Sequence, residues 1–265
     1  MARKDRERDI DQSPWTRPGF VLAGLVVVLA LACGLYLVVG GGGHHVAASS
    51  PAAPAPTTVP TTRSPAVRST SPRKRAGAGC NVPPGPQAVP TMAPTGIAWQ
   101  YWRTAVLPTS PTAGPMVVYG DFARCFARSP LGALISAVQI YSRMELAMTS
   151  TEWQSIVYGQ MVPSVGRDDL ATMTEAAEKT NPAAFAAPTP PGAFAQIAGF
   201  SFVSYGGDTA VIDLVVTKTG AYAVAPLTVS WVDGDWELDV TPSGGLTGPA
   251  QAINSTVGYI AWSGI

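Results

Sequence analysis

A run of 25 residues without a charge, Gly19 to Gly43, constrains this chain more than any other feature. Its centre, Phe20 to Val39, is rich in Val, Leu and Ala. At a rise of 1.5 Å per residue, about 20 such residues cross a hydrocarbon layer of roughly 30 Å. Backbone in hydrocarbon must satisfy its own hydrogen bonds, so residues 18–40 are expected to form a transmembrane helix. Trp15 and Tyr36 are its candidate interfacial anchors. Arg3, Lys4, Arg6, Arg8 and Arg17 precede the run, and no Lys or Arg follows until Arg63. Cytoplasmic flanks collect Lys and Arg. Residues 1–17 are therefore expected to be a cytoplasmic tail, with the bulk of the chain extracytoplasmic on a single membrane pass. Two rivals fit less well. The apolar core is long for a cleaved signal peptide, although Val46-Ala47-Ala48 supplies small residues beyond it. Cys33 lies inside the run, not at its end, which suits a packing residue better than a lipidation site.

Of the 25 Pro, 14 fall between residues 40 and 115, and Gly40 to Gly43 open that stretch. Residues 41–95 read as a Pro/Gly/Ala-rich stalk that buries too little apolar surface to offset ordering. As a coil, its first 40 residues reach roughly 35 Å, and as extended polyproline about 110 Å. They carry Arg63, Arg68, Arg73, Lys74 and Arg75, which read as solubilising charge, and His44 and His45 need no metal. From Cys80 onward the balance reverses, with seven Lys or Arg against thirteen Asp or Glu. An acidic head argues against nucleic acid as a partner.

Residues 96–242 are expected to be one extracytoplasmic domain, with 243–265 as a C-terminal tail. Ser129-Pro130 opens a helix to about Met148, with Leu131, Leu134, Ile135, Val138 and Tyr141 on one face. Thr151-Glu152-Trp153-Gln154 reads as a capping box for a second helix. A third helix spans about Asp168 to Lys179 and stops at Asn181-Pro182. Then the period changes. Gln196–Tyr205, Thr209–Thr217, Tyr222–Val232 and Trp236–Val240 alternate apolar and polar residues, as antiparallel strands with one packed face do. Asp233-Gly234 is the best hairpin signal, and Pro226 marks an edge or bulge. Helices followed by a meander is an α+β plan. Helices would cover a curved four-stranded antiparallel sheet, and such a cone has a natural pocket. Glu145 and Asp213 would serve a ligand if they pointed into it. Phe200, Phe202, Trp231 and Trp236 would instead fill it. Cys80 and Cys125 are disulfide candidates in an oxidising compartment.

The head contains no His, which removes the His-dependent nucleophile systems and the usual zinc ligand sets. Asp233, Asp235, Glu237 and Asp239 form an acidic row, the last three on one strand face opposite Trp236 and Leu238. It reads as a solvated hairpin face that could also dock a basic partner. No catalytic residue, cofactor or metal site is expected.

Gly114-Pro115, Cys125 to Leu134, Ala198-Gly199-Phe200, Trp231 to Trp236 and Tyr259-Ile260-Ala261-Trp262 occur in that order. Together they resemble an uncharacterised family of actinobacterial membrane-anchored proteins associated with conjugative or integrative elements. More remotely, the plan is similar to the nuclear transport factor 2-like fold. That fold occurs in scaffold subunits of type IV secretion systems and in membrane proteins associated with lipid import. The resemblance implies a non-catalytic, membrane-tethered interaction module that works with envelope or transfer-machinery proteins. It leaves self-association open. The alternative it implies is a cone that binds a small molecule or lipid.

Overall fold

The computed structural model describes residues 79–265. The chain divides into two units, Met1–Thr70 and Ser71–Ile265, and every described residue belongs to the second. The expected cytoplasmic tail and transmembrane helix, Cys33, the two histidines and most of the stalk lie outside the described residues. Among the described residues, no helix is long and apolar enough to cross a membrane.

Two short hairpins come first. Strands β1 (Ala98–Trp102) and β2 (Ala105–Thr109) pair antiparallel, as do β3 (Val117–Tyr119) and β4 (Phe122–Arg124). Four helices follow: α1 (Pro130–Glu145), α2 (Ser150–Gln160), α3 (Val165–Thr180) and the short α4 (Pro182–Phe185). The remaining strands are β5 (Gln196–Tyr205), β6 (Thr209–Lys218), β7 (Ala221–Val232), β8 (Asp235–Leu238), β9 (Gln251–Ile253) and β10 (Ile260–Ala261).

Local chemistry sets the helix starts. The Ser129 side chain accepts the Gly132 N–H at 3.1 Å, and Pro130 occupies the first turn. Gly132 is required there for space, because a Cβ would lie 1.9 Å from the Ala127 carbonyl oxygen. The second helix opens two residues earlier than the capping-box reading places it. Thr149 Oγ1 accepts the Glu152 N–H at 3.3 Å, and the Glu152 carboxylate reaches back to the Met148 N–H at 2.6 Å. Ser164 caps α3, and Asn181 ends it while capping α4.

Helix α1 lies against β2, β7 and β8. Its fully buried Leu134, Ile135 and Val138 share a core with Ile212, Leu214, Leu227, Val229, Trp236 and Leu238. Leucine-sized side chains buried in this way each contribute about 1.5–3 kcal/mol relative to exposure.

The sheet corrects the expected cone. It has six antiparallel strands, not four, in the order β10-β5-β6-β7-β8, with β9 also on β7. The nuclear transport factor 2-like reading therefore does not describe this molecule. The two additional strands come from residues 243–265, the segment read as a tail. Strand β10 pairs Ile260 with Phe200 and Ala261 with Gly199, and the Trp262 N–H donates to the Ala198 carbonyl at 3.1 Å. Strand β9 pairs with the opening of β7. Between β8 and β9, the edge of β7 is held by the Gly248 N–H donating to the Pro226 carbonyl at 2.8 Å. The N and C=O of a strand residue point the same way, so the N–H that Pro226 lacks would face this interrupted edge and not β6.

The interior under the sheet is filled by aromatic side chains. Phe200 and Trp236 are fully buried. Phe202, Tyr205, Trp231 and Trp262 continue the set, with ring centroids 5.4 Å apart for Trp231–Trp236 and for Phe200–Trp262. Neighbouring pairs are edge-on or tilted, as aromatic quadrupoles prefer.

Candidate functional site

The acidic row does not form one solvated face. Asp233 is exposed in the β7–β8 turn, with φ of 49° beside Gly234 at 91°. Asp235 and Glu237 are buried, at 1% and 2% exposure. Asp239 is half-buried and accepts the Ser230 hydroxyl at 2.7 Å. The Asp235 carboxylate accepts the Cys125 N–H at 2.6 Å, the Phe126 N–H at 2.9 Å and its neighbour Trp236 N–H at 3.0 Å. Burial pushes its pKa up, while the N–H donors of Phe126, Cys125 and Trp236 pull the other way. Trp236 Nε1–H adds a bond to the Ala127 carbonyl at 2.9 Å.

Cys80 and Cys125 are joined by a disulfide, with Cα atoms 5.2 Å apart. Their sulfurs and an Asp235 oxygen lie within 4.8 Å of one another, a spacing that would suit a metal ion. The bonded sulfurs offer no thiolate, and N–H donors already occupy the carboxylate. The arrangement is a clasp that closes residues 80 and 125 onto the β7–β8 hairpin.

The candidate pocket residues separate. Phe200, Phe202, Trp231 and Trp236 belong to the core or pack against it. Asp213 stands between Ser201 and Pro226 across the sheet, half-buried, on the face opposite Ile212 and Leu214. Burial raises its pKa, yet it lines no part of the cleft described next. Only Glu145 lies in that cleft.

The cleft has a volume of about 540 Å³. It is walled by the end of α1 and the start of α2 on one side, α3 and α4 on another, and the 244–246 turn. Trp153, Leu170, Phe185 and Leu246 give it an apolar lining, and Met144, Met148 and Met173 give it adaptable walls. Such a volume falls within the range of small-molecule sites. Gly244, at φ of 78°, leaves room for Met173, whose Cε would lie 2.3 Å from an added Cβ.

Glu145 ends α1 at the cleft and is exposed to solvent. The protein around it still pushes its pKa above the ordinary 4.5 by desolvation. Tyr141, one turn earlier, is raised by burial and then by the Glu145 charge. No hydrogen bond or ion pair reaches the Glu145 carboxylate among the described residues. Glu152, nearby, is fully engaged. It binds the Met148 N–H and Arg103, and despite the opposing effect of burial these hold it below the usual range.

Beside the cleft, the Arg103 and Arg143 guanidiniums lie 4.6 and 4.8 Å from the Trp102 ring centroid. Arg103 also donates to the Leu146 carbonyl, tying the first hairpin to the end of α1. The cleft residues come from separated segments, which is why the strand-centred reading misses them. One signal was present: Leu170, Met173 and Ala177 recur at helical spacing on α3, an apolar stripe whose Met173 remains 49% exposed.

The quoted sequence segments now have places. Gly114-Pro115, the Cys125 segment and the Trp231–Trp236 hairpin converge at the clasp, where Met116 N–H donates to the Cys125 carbonyl at 3.1 Å. Ala198-Gly199-Phe200 and Tyr259 to Trp262 meet as β5 and β10. No curated protein and no solved structure matches the chain. A family model described as Domain of unknown function (DUF8175) matches residues 58–261, which include every described strand and helix, and the chain belongs to that family.

Proposed function

We propose that this protein is a non-catalytic, membrane-tethered module that holds its folded unit outside the membrane and serves as an accessory or scaffold of a conjugation- or secretion-type envelope apparatus. The observation that carries the reading is the Cys80–Cys125 disulfide joined to the Asp235 clasp. Structural disulfides persist in oxidising compartments, and this one braces the first described residues against the domain. The uncharged run Gly19 to Gly43, with Lys and Arg gathered before it, supports a tether of that orientation. The absence of His from residues 80–265 removes the Ser-His and Cys-His nucleophile systems.

The test is made in the host membrane. Protease added to intact spheroplasts should release the folded unit, and crosslinking should recover it with named components of a transfer or secretion apparatus. Deleting the gene should lower transfer through that apparatus. Recovery as a free monomer, with transfer unchanged, would sink the reading.

A further inference from the structure

We propose that the cleft between the end of α1 and helices α2, α3 and α4 is a binding site for a small amphipathic organic cation, with Glu145 as the counter-ion for its ammonium group and the apolar walls taking its body. A protein–protein role does not require such a site, and the site does not depend on how the unit is anchored.

The case begins with volume and lining. About 540 Å³ accommodates a molecule of one or two rings or a comparable alkyl chain. The deep residues Trp153 and Leu170 are at most 9% exposed and supply a fixed apolar floor. Met144, Met148 and Met173 can re-pack around an irregular body at little cost. An apolar cleft alone would accept any hydrophobe, so Glu145 decides the ligand's charge.

Two other acids close to this region are already matched. Glu152 is paired with Arg103 at 2.5 Å, and Glu178 accepts from Ser150 Oγ at 2.6 Å and Trp153 Nε1 at 3.1 Å. Glu145 alone lines the cleft without a donor, and no Lys, Arg or His side chain lines it. The Glu145 side chain remains exposed at the cleft, where a ligand can reach it, and the surrounding protein raises its pKa. A ligand ammonium in the cleft would meet it with a charge-assisted hydrogen bond. A carboxylate ligand would meet repulsion, and an alcohol would gain only an ordinary hydrogen bond. The nearest guanidiniums, those of Arg103 and Arg143, are committed to Trp102, Glu152 and backbone carbonyls outside the lining.

The full chain, in lipid nanodiscs and with methionine methyl groups labelled with carbon-13, tests this at neutral pH. Three matched probes are titrated: 2-phenylethylamine, 2-phenylethanol and 3-phenylpropionate. The amine should shift the Met148 and Met173 methyl signals saturably. Its Kd should be at least about tenfold below that of the alcohol or the acid, as a charge-assisted hydrogen bond allows. Glu145→Gln should bring the amine to the level of the alcohol. Ala177→Trp, which fills the cleft, should abolish all three responses while the amide spectrum stays folded. The proposal is overturned if the amine gives no saturable shift in the wild-type chain. It is equally overturned if the three probes bind alike, or if Glu145→Gln keeps the preference for the amine.

Discussion

Asp235 holds Cys125 in place: its Oδ2 accepts the Cys125 N–H at 2.6 Å across a separation of 110 residues. One side chain in the second half of the domain thereby sets the backbone that carries a disulfide in the first half. The same carboxylate takes the Phe126 N–H. Removing it would strand those two buried donors and the Trp236 N–H, and each unsatisfied group costs about 1–3 kcal/mol. Asp235→Ala should therefore lower unfolding free energy by at least about 3 kcal/mol, and Asp235→Asn, which keeps one acceptor, by less. Urea denaturation would show it, and equal stability of all three proteins would refute the clasp.

The disulfide closes a loop across 45 residues. In the chain-entropy model a bridge of this span stabilises by about 4 kcal/mol. Replacing Cys80 and Cys125 together by Ser should move the urea midpoint by a corresponding amount. The double variant should also be indifferent to dithiothreitol, whereas the parent should not.

Gly199 faces the β10 backbone so closely that a Cβ would lie 2.6 Å from the Ile260 carbonyl oxygen. Gly199→Ala should push β10 off the edge of β5 and expose Trp262, which is 5% exposed. Tryptophan emission should shift to the red, and limited proteolysis should remove residues near 260 before the rest of the domain is cut. Unchanged emission and an uncut strand would show that the edge tolerates a methyl group.

Acid should affect this domain less than most. Burial raises the folded pKa of Asp213, Asp235 and Asp239 above the ordinary 3.8, and that of Glu145 above 4.5. A carboxyl of this kind binds its proton more tightly when folded. Its stabilising contribution is present below the unfolded value and is lost as pH rises through the folded value. Glu152 and Glu178 act oppositely, because their folded values are depressed below 4.5. Their contributions are present above 4.5 and fade as pH falls through the folded values. Lowering pH from 7 toward 4.5 should thus hold or raise Tm, with acid unfolding beginning only below that window. A Tm that falls steadily from pH 7 to 5 would contradict these environments.

Long periodic segments were legible in the sequence. The alternation in Ala210, Ile212 and Leu214 and in Leu227, Val229 and Trp231 marks the faces that the structure buries, although Trp231 is only half-buried. Ser129-Pro130 marks the start of α1. Short elements were not legible, because β9 has three residues and β10 two, and a period cannot show in so few. Their partners lie far along the chain, so no local pattern identifies them. The acidic alternation of Asp235, Glu237 and Asp239 was visible, but not its burial. That depends on Cys125 and Phe126 arriving from a distant segment to meet Asp235. Glu145 was read as a conditional member of a cone pocket, but Phe200 and Trp236 fill that interior and Glu145 instead borders the cleft between the helices.

The pairing of β10 with β5 has a consequence for synthesis. Until residues 260–262 arrive, residues 198–200 present a row of unmet backbone groups. A bare strand edge recruits other chains. A product cut short between β9 and β10 would keep the helices and most of the core yet carry an adhesive border, so quality control would meet it as a nearly folded but sticky protein. Arrival of residues 260–262 is thus also the step that makes the sheet safe.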